Sequence, residues 1–164
     1  ANESFDLTRA IRYCKEVELF NIEYIEQPLK RDAIEDLSEL RYHTSIPIAL
    51  DETITNFESI QKSIDMQAGD FFIIKPTLTG GFTQCKKIVQ YIESSGLKWT
   101  MTSSIESEVG LRACIHFASA LHAKHACGFS TMDLYTNNHS ISVENGLIKI
   151  PSTIGLGLEK YDFR

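Results

Sequence analysis

The sequence has no apolar run approaching the ~20 residues that a helix needs to cross a bilayer; its longest runs, such as Phe71–Ile74, are far shorter. A membrane partner is therefore not expected, and no signal peptide is visible. Basic residues are scarce: 16 Lys plus Arg stand against 22 Asp plus Glu, a net charge of −6, and no basic cluster exceeds Lys86–Lys87. Nothing in that distribution would displace counterions from a phosphate backbone, so nucleic acid is not expected as a partner either. Cysteine is limited to Cys14, Cys85, Cys114 and Cys127, with no CxxC pair and no His at zinc-ligand spacing. They read as small buried hydrophobes of a protein in the reducing cytoplasm. What remains is 164 residues, 43% hydrophobic and 23% charged, the composition of a globular protein with one core-bearing domain or two at most.

Short apolar runs alternate with helical patterns, and each run ends on a polar or charged residue. Ile22–Ile25 ends at Glu26, Ile46–Leu50 at Asp51, Phe71–Ile74 at Lys75 and Trp99–Thr102 at Ser103. Glu26 to Asp51 is 25 residues, Asp51 to Lys75 is 24 and Lys75 to Ser103 is 28. These intervals approach the ~30 residues of a βαβ unit. Helices fill the gaps. Ser4 is expected to cap the first, which carries Leu7, Ala10, Ile11 and Cys14 on one face; Asp32 with Glu35, and Thr55 with Glu58, have capping-box spacing for two more. Phe82, Cys85, Ile88, Val89 and Ile92 form the next apolar stripe, and Val109, Ala113, Cys114, Phe117 and Leu121 another. A further strand is expected near Cys127–Met132. Ile141–Glu144 and Leu147–Ile150, joined by Asn145-Gly146, read as a hairpin.

Strict alternation implies an α/β fold with a parallel sheet, either an open doubly wound sheet or a (β/α) barrel. Both gather ligands at the carboxyl ends of the strands. The evenly spaced polar residues, and the lack of any GxGxxG after a strand, favour the barrel. A barrel needs eight strands and ~250 residues. Four strand starts cannot close one, and the opening at Ala1-Asn2 without Met reads as a cut within a domain. The remaining N-terminal half of the same chain is an expected partner.

Glu26 and Asp51 would meet on one rim. Two carboxylates ~4 Å apart repel by roughly 4 kcal/mol at an effective dielectric of ~20, so such a pair shares a proton or holds a cation. Oxygen ligands select a hard ion, Mg²⁺ first; the alternative is that the acids cap loops or face solvent. Lys75 would stand at the same rim as an acid, a base or an electrostatic stabiliser of an anion, or as a structural ion pair with Asp51 or Glu26. Thr77–Gly81 and Ser103-Ser104 precede helices, where backbone N–H groups attract anions or the hydroxyls act as caps. Glu52 and Glu106 either orient neighbouring groups or are solvated. His43, His116, His122, His125 and His139 follow no pattern and are assigned no role.

The ordered motifs Ile25-Glu26-Gln27-Pro28, Leu50-Asp51-Glu52-Thr53, Ile74-Lys75-Pro76-Thr77 and Ser103-Ser104-Ile105-Glu106-Ser107 resemble the enolase superfamily, and within it the muconate-lactonizing subgroup. Lys75–Gly81, Ser103–Ser107 and Gly128–Asp133 together are most similar to the o-succinylbenzoate synthases. That resemblance implies a modified (β/α)₇β barrel, with residues 1–138 running from the end of its third strand through its eighth. Residues 139–164 would be a hairpin and tail packing on a capping domain that this sequence lacks.

By the same resemblance, Glu26 and Asp51 are the second and third Mg²⁺ ligands, and Lys75 is the sixth-strand lysine that stabilises an enediolate. Asn2, Ser103, Ser104 and Gly128 fall at substrate contacts for a small-molecule carboxylate. The first metal ligand belongs to an Asp-Ala-Asn motif of which only Ala1-Asn2 is seen, and a second-strand Lys-x-Lys supplies the base. The implied reaction is dehydration of 2-succinyl-6-hydroxy-2,4-cyclohexadiene-1-carboxylate through a metal-stabilised enediolate, a step of menaquinone synthesis; a Lys base acting with Mg²⁺ is the superfamily's general pattern. N-acylamino acid racemase or dipeptide epimerase is the alternative, the latter weakened because Ser130-Thr131-Met132 offers no Asp-x-Asp. A non-catalytic barrel is the third reading. The segment by itself, lacking a ligand and the base, is expected to be inactive.

Overall fold

A computed structural model describes residues 1–131, 141–150 and 153–158. The chain forms two compact units, Ala1–Thr100 and Met101–Arg164. From the N-terminus, α1 (Leu7–Val17) and a 3₁₀ turn (Glu18–Phe20) lead to β1 (Ile25–Glu26), followed by α2 (Ile34–His43), β2 (Ile48–Leu50), α3 (Phe57–Asp65), β3 (Phe71–Ile74), α4 (Gly81–Ser94) and β4 (Lys98–Met101). The sheet order is β1-β2-β3-β4. β1 and β2 pair in parallel with Ile25 opposite Ile48, and β2 and β3 with Ala49 opposite Phe71. Each strand lies beside the next in sequence. A doubly wound sheet reverses its order at a switch point, whereas a barrel wall does not, so the unreversed order is that of a barrel wall.

Strand alternation divides the side chains between two faces. Ile48, Leu50, Phe72 and Ile74 are fully buried, as are Leu37, Leu40, Ile60, Ile88 and Ile92 of the covering helices. On the other face Ala49, Phe71 and Ile73 form a buried cluster, against which Tyr24 packs with its ring centroid 4.8 Å from that of Phe71. Extending this second face by two residues along each strand reaches Glu26, Asp51 and Lys75. The period of two thus delivers all three to the carboxyl end of one face.

The helix starts differ from expectation. Asp6, not Ser4, caps α1 by accepting from Arg9 N at 2.8 Å, while the Ser4 hydroxyl donates to the Ala1 carbonyl. The box on α3 is formed by Asn56 and Ser59, one residue beyond the expected Thr55 and Glu58. α2 starts after Ala33 with no side-chain cap, so Asp32 does not serve. A capping motif marks a helix start to within a residue or two, and neighbouring Ser, Thr, Asn and Asp compete for the role. β1 also begins later than the expected Ile22–Ile25, because Asn21 adopts a left-handed φ of 51° on leaving the 3₁₀ turn.

The second unit contains α5 (Glu108–Ala120) and the antiparallel pair β5 (Val143–Glu144) and β6 (Leu147–Ile148). Asn145 at φ 51° and Gly146 at φ 76° supply the two positive-φ positions of the expected hairpin turn. The expected strand near Cys127 is reduced to one parallel bridge between Thr102 and Gly128; Met132 lies outside the described residues. On α5 the buried face is Leu111, Arg112, Cys114, Ile115 and Ala118, rotated from the expected stripe. Arg112 is accommodated inside because its Nε meets Glu108 at 2.9 Å and its Nη1 donates to the Leu156 carbonyl at 3.3 Å. No helix among the described residues is long and apolar enough to cross a membrane.

Candidate metal and acid–base site

Within the first unit, Lys75 Nζ donates to Asp51 Oδ2 at 2.6 Å, with the two side chains 21% and 9% exposed. Asp51 and Lys75 are thus brought together as a largely desolvated ion pair. Glu26 is half-buried, and its carboxyl holds its proton above the ordinary carboxylate range, first because of burial and second because of the negative charge of Asp51. The Lys75 ammonium acts on Glu26 in the opposite sense. The three groups therefore share one electrostatic neighbourhood.

The donor set is all oxygen, and the proton affinity of Glu26 registers negative charge that Lys75 does not fully cancel. Those are the features that suit a hard dication. The set is incomplete by itself: among the described residues no three His, Cys, Asp or Glu side chains gather closely enough to hold a metal. A metal here would need a further ligand from elsewhere in the protein. Glu52, next in sequence to Asp51, keeps Oε2 buried without a hydrogen-bond partner.

The segment before α1 runs along the end of β1. Glu3 N donates to the Gln27 carbonyl at 2.8 Å and Phe5 N to the Pro28 carbonyl at 3.0 Å, which places exposed Asn2 beside the same rim. Glu3 accepts from Arg31 at three points: backbone N at 2.8 Å, Nε at 3.0 Å and Nη2 at 2.9 Å. These hydrogen bonds hold the Glu3 carboxyl at a pKa of about 2 instead of 4.5.

Reasoning from sequence missed Gln27, the fully buried residue between the two strand-end acids. Its Oε1 accepts from Asp51 N at 3.0 Å and Thr53 N at 3.2 Å; its Nε2 donates to Thr53 Oγ1 at 2.9 Å and the Leu29 carbonyl at 3.0 Å. The only local hint is its place between Glu26 and Pro28. After β3, Thr79 turns its hydroxyl back to the Lys75 carbonyl at 2.9 Å and lies 2.9 Å from Cys85 Sγ, so it braces the turn into α4.

In the second unit the structure brings Ser103 and Gly128 together. Ser103 N donates to the Gly128 carbonyl at 3.0 Å, Gly128 N to the Met101 carbonyl at 2.9 Å, and Thr102 Oγ1 to the Gly128 carbonyl at 2.8 Å. A Cβ at Gly128 would stand 2.5 Å from Thr102 Oγ1, so this approach requires glycine. Buried Ser103 shares a 2.5 Å hydroxyl contact with Thr131, a second residue the sequence reading passed over. Ser104 is engaged through its backbone, donating to Glu106 Oε2 at 2.6 Å. Glu106 therefore orients the loop, one of the two roles open to it.

Residues 1–162 match the family described as enolase C-terminal domain-like. The chain is 33% identical over 134 residues to an o-succinylbenzoate synthase of Thermobifida fusca, covering 81% of this chain and 41% of that protein. It is 28% identical over 162 residues to an N-succinylamino acid racemase of Thermus thermophilus, covering 96% and 44%. It superposes with a TM-score of 0.86 at 28% identity on a dipeptide epimerase from Cytophaga hutchinsonii complexed with Mg and the dipeptide D-Ala-L-Val, covering 96% of this chain and 44% of that one. The chain thus spans less than half the length of the relatives it matches, and its four-stranded wall is the corresponding part of a barrel.

Proposed function

The chain belongs to the enolase superfamily, through the family described as enolase C-terminal domain-like, and from that premise we propose that the whole protein is a Mg²⁺-dependent o-succinylbenzoate synthase. The observation that carries this reading is the 2.6 Å contact of Lys75 with Asp51 on the face that also ends in Glu26. Glu26 and Asp51 are the residues that would hold Mg²⁺, together with a ligand from outside this segment. When bound, the ion would supply positive charge to the substrate carboxylate, which acidifies the adjacent C–H.

The chain's own groups do the rest of what this segment contributes. A carboxylate's alpha proton is very weakly acidic, so the dianion left by its removal must be met by positive charge fixed in advance. Lys75, held by Asp51 and mostly out of water, presents an ammonium that needs no reorganisation when that charge appears. Asn2, Ser103, Ser104 and Gly128 are the residues proposed to orient the substrate, the serine hydroxyls and the Asn2 side-chain amide being groups suited to anionic oxygens. Loss of hydroxide then completes a carbon–oxygen lyase reaction, which we place in menaquinone synthesis. All four cysteines are free thiols, which fits the reducing cytosol.

The similarity to an N-succinylamino acid racemase supports a second reading, in which Lys75 exchanges a proton with one face of an N-acylamino acid. The test uses the full-length protein with Mg²⁺. Succinylbenzoate formation with little racemization supports the synthase; racemization of N-succinyl amino acids without dehydration replaces it with the second reading; neither activity leaves a non-catalytic barrel.

A further inference from the structure

We propose that Gln27 is a positioning residue: its amide cross-links the chain ends after β1 and β2 and thereby sets the Glu26 and Asp51 carboxylates for metal binding. This inference rests on the metal-dependent reading given above. Gln27 is fully buried, and both arms of its amide are used twice. Oε1 takes the backbone N–H groups of Asp51 and Thr53, and Nε2 gives to the Leu29 carbonyl and the Thr53 hydroxyl. Thr53 Oγ1 passes the link on, donating to the Arg31 carbonyl at 3.2 Å.

The backbone of Gln27 is fixed in the same place. Its N–H donates to the Ala49 carbonyl at 2.8 Å, continuing the β1–β2 pairing beyond the strand, and its φ of 35° is in the left-handed region. A residue in that conformation turns the chain just past Glu26, which is its covalent neighbour, while its side chain holds the N–H of Asp51. One residue therefore governs the backbone at both carboxylates.

The chemistry admits few substitutes. Two N–H groups must be met by an acceptor and two oxygens by donors, all out of water, and only a primary amide of this length has acceptor and donors on opposite arms. A carboxylate would face the Leu29 carbonyl lone pairs, and an apolar side chain would strand two buried N–H groups and a carbonyl. Outer-shell partners of metal ligands fix ligand orientation, and their loss typically costs 10–100-fold in metal affinity.

The experiment measures Mg²⁺ binding to the full-length protein by titration calorimetry, with Mn²⁺ binding by electron paramagnetic resonance as a spectroscopic check, well below the unfolding temperature. Gln27→Met, close to glutamine in volume, is expected to weaken Mg²⁺ binding about 10–100-fold. Thr53→Val breaks the hydroxyl link alone and is expected to weaken it less, near the lower end of that range, about tenfold; it serves as the folded probe should Gln27→Met fail to fold. The Mg²⁺ concentration giving half-maximal turnover should rise in step with each loss. Wild-type affinity in the folded variants, with only a lowered melting temperature, would mean a merely structural residue and would overturn the proposal while leaving the functional reading intact. A wild-type protein that binds no Mg²⁺ would overturn both.

Discussion

Replacing Lys75 by methionine tests whether the Asp51 carboxylate depends on its neighbour's charge. At 2.6 Å, with an effective dielectric of ~20, the gross attraction is about 6 kcal/mol. Desolvation of both groups offsets much of this, and removing one partner of a buried pair costs about 3–5 kcal/mol because the other charge is left uncompensated. Lys75 keeps 21% of its side chain exposed, which places the expected loss near the lower limit, about 3 kcal/mol. Urea unfolding of the full-length protein in EDTA should show the midpoint fall without a change in slope. Asp51→Asn in the Lys75→Met background removes the stranded charge and should recover about 1–3 kcal/mol of the loss, the non-additivity expected of two residues in contact. At a fixed Mg²⁺ concentration the gap should also narrow to the extent that the variant, whose Asp51 carboxylate has lost the competing ammonium, binds the ion more tightly than wild type, since each protein gains stability according to its own Kd. A Lys75→Met protein within about 0.5 kcal/mol of wild type, the scatter of ordinary surface changes, would refute the reasoning. So would a double variant no more stable than the single one.

Gly128→Ala should destabilise by about 1–3 kcal/mol, because the new Cβ meets Thr102 Oγ1 at 2.5 Å and Thr102 Cβ at 3.0 Å. Adding Thr102→Ala should return part of that loss, and thermal denaturation of the pair checks it. Glu3→Gln removes a carboxylate whose folded pKa, about 2, lies below its ordinary 4.5. The wild-type advantage should be complete above pH 4.5, where the unfolded carboxyl is also ionised, and should decline as the pH falls toward 2. An advantage constant across an acid titration of unfolding, or growing in acid, contradicts the Arg31 assignment. Asn56→Ala dismantles the capping box of α3 and should cost about 1 kcal/mol, read from the same denaturation curves; Thr55→Ala should cost distinctly less.

How much of this was legible in the sequence follows from which forces leave a periodic trace. Phe71–Ile74 was readable to the residue, because a strand buried on both faces is a continuous apolar run, and the first charged residue after it marks the rim. The rim positions of Glu26, Asp51 and Lys75 followed from that alone. Helix starts were placed less well, since Thr55, Asn56 and Ser59 all carry capping groups and only the final geometry selects among them. The buried face of α5 departs from the apolar stripe for a different reason. Apolar periodicity treats arginine as solvent-facing, but Arg112 is neutralised by Glu108 one turn away and tied to the Leu156 carbonyl, so its stem joins the core.

Glu26 and Gln27 show where sequence periodicity stops being informative about a site. Both are polar, adjacent and at the end of one strand. The carboxylate continues the alternation of β1, and its place on the inner face could be counted off. The amide sits at a left-handed φ, where alternation no longer assigns a face, and its partners lie at Asp51 and Thr53, about one βα repeat away. A buried polar side chain is determined by the donors and acceptors left over when the backbone has folded. Those leftovers exist only once β1 and β2 are paired, so no local pattern could announce them. The same holds for the Ser103–Thr131 hydroxyl contact, whose members are 28 residues apart. Where strands each contribute one group to a rim, the groups that react are spaced by the fold's own period, and those that hold them in register lie off that period.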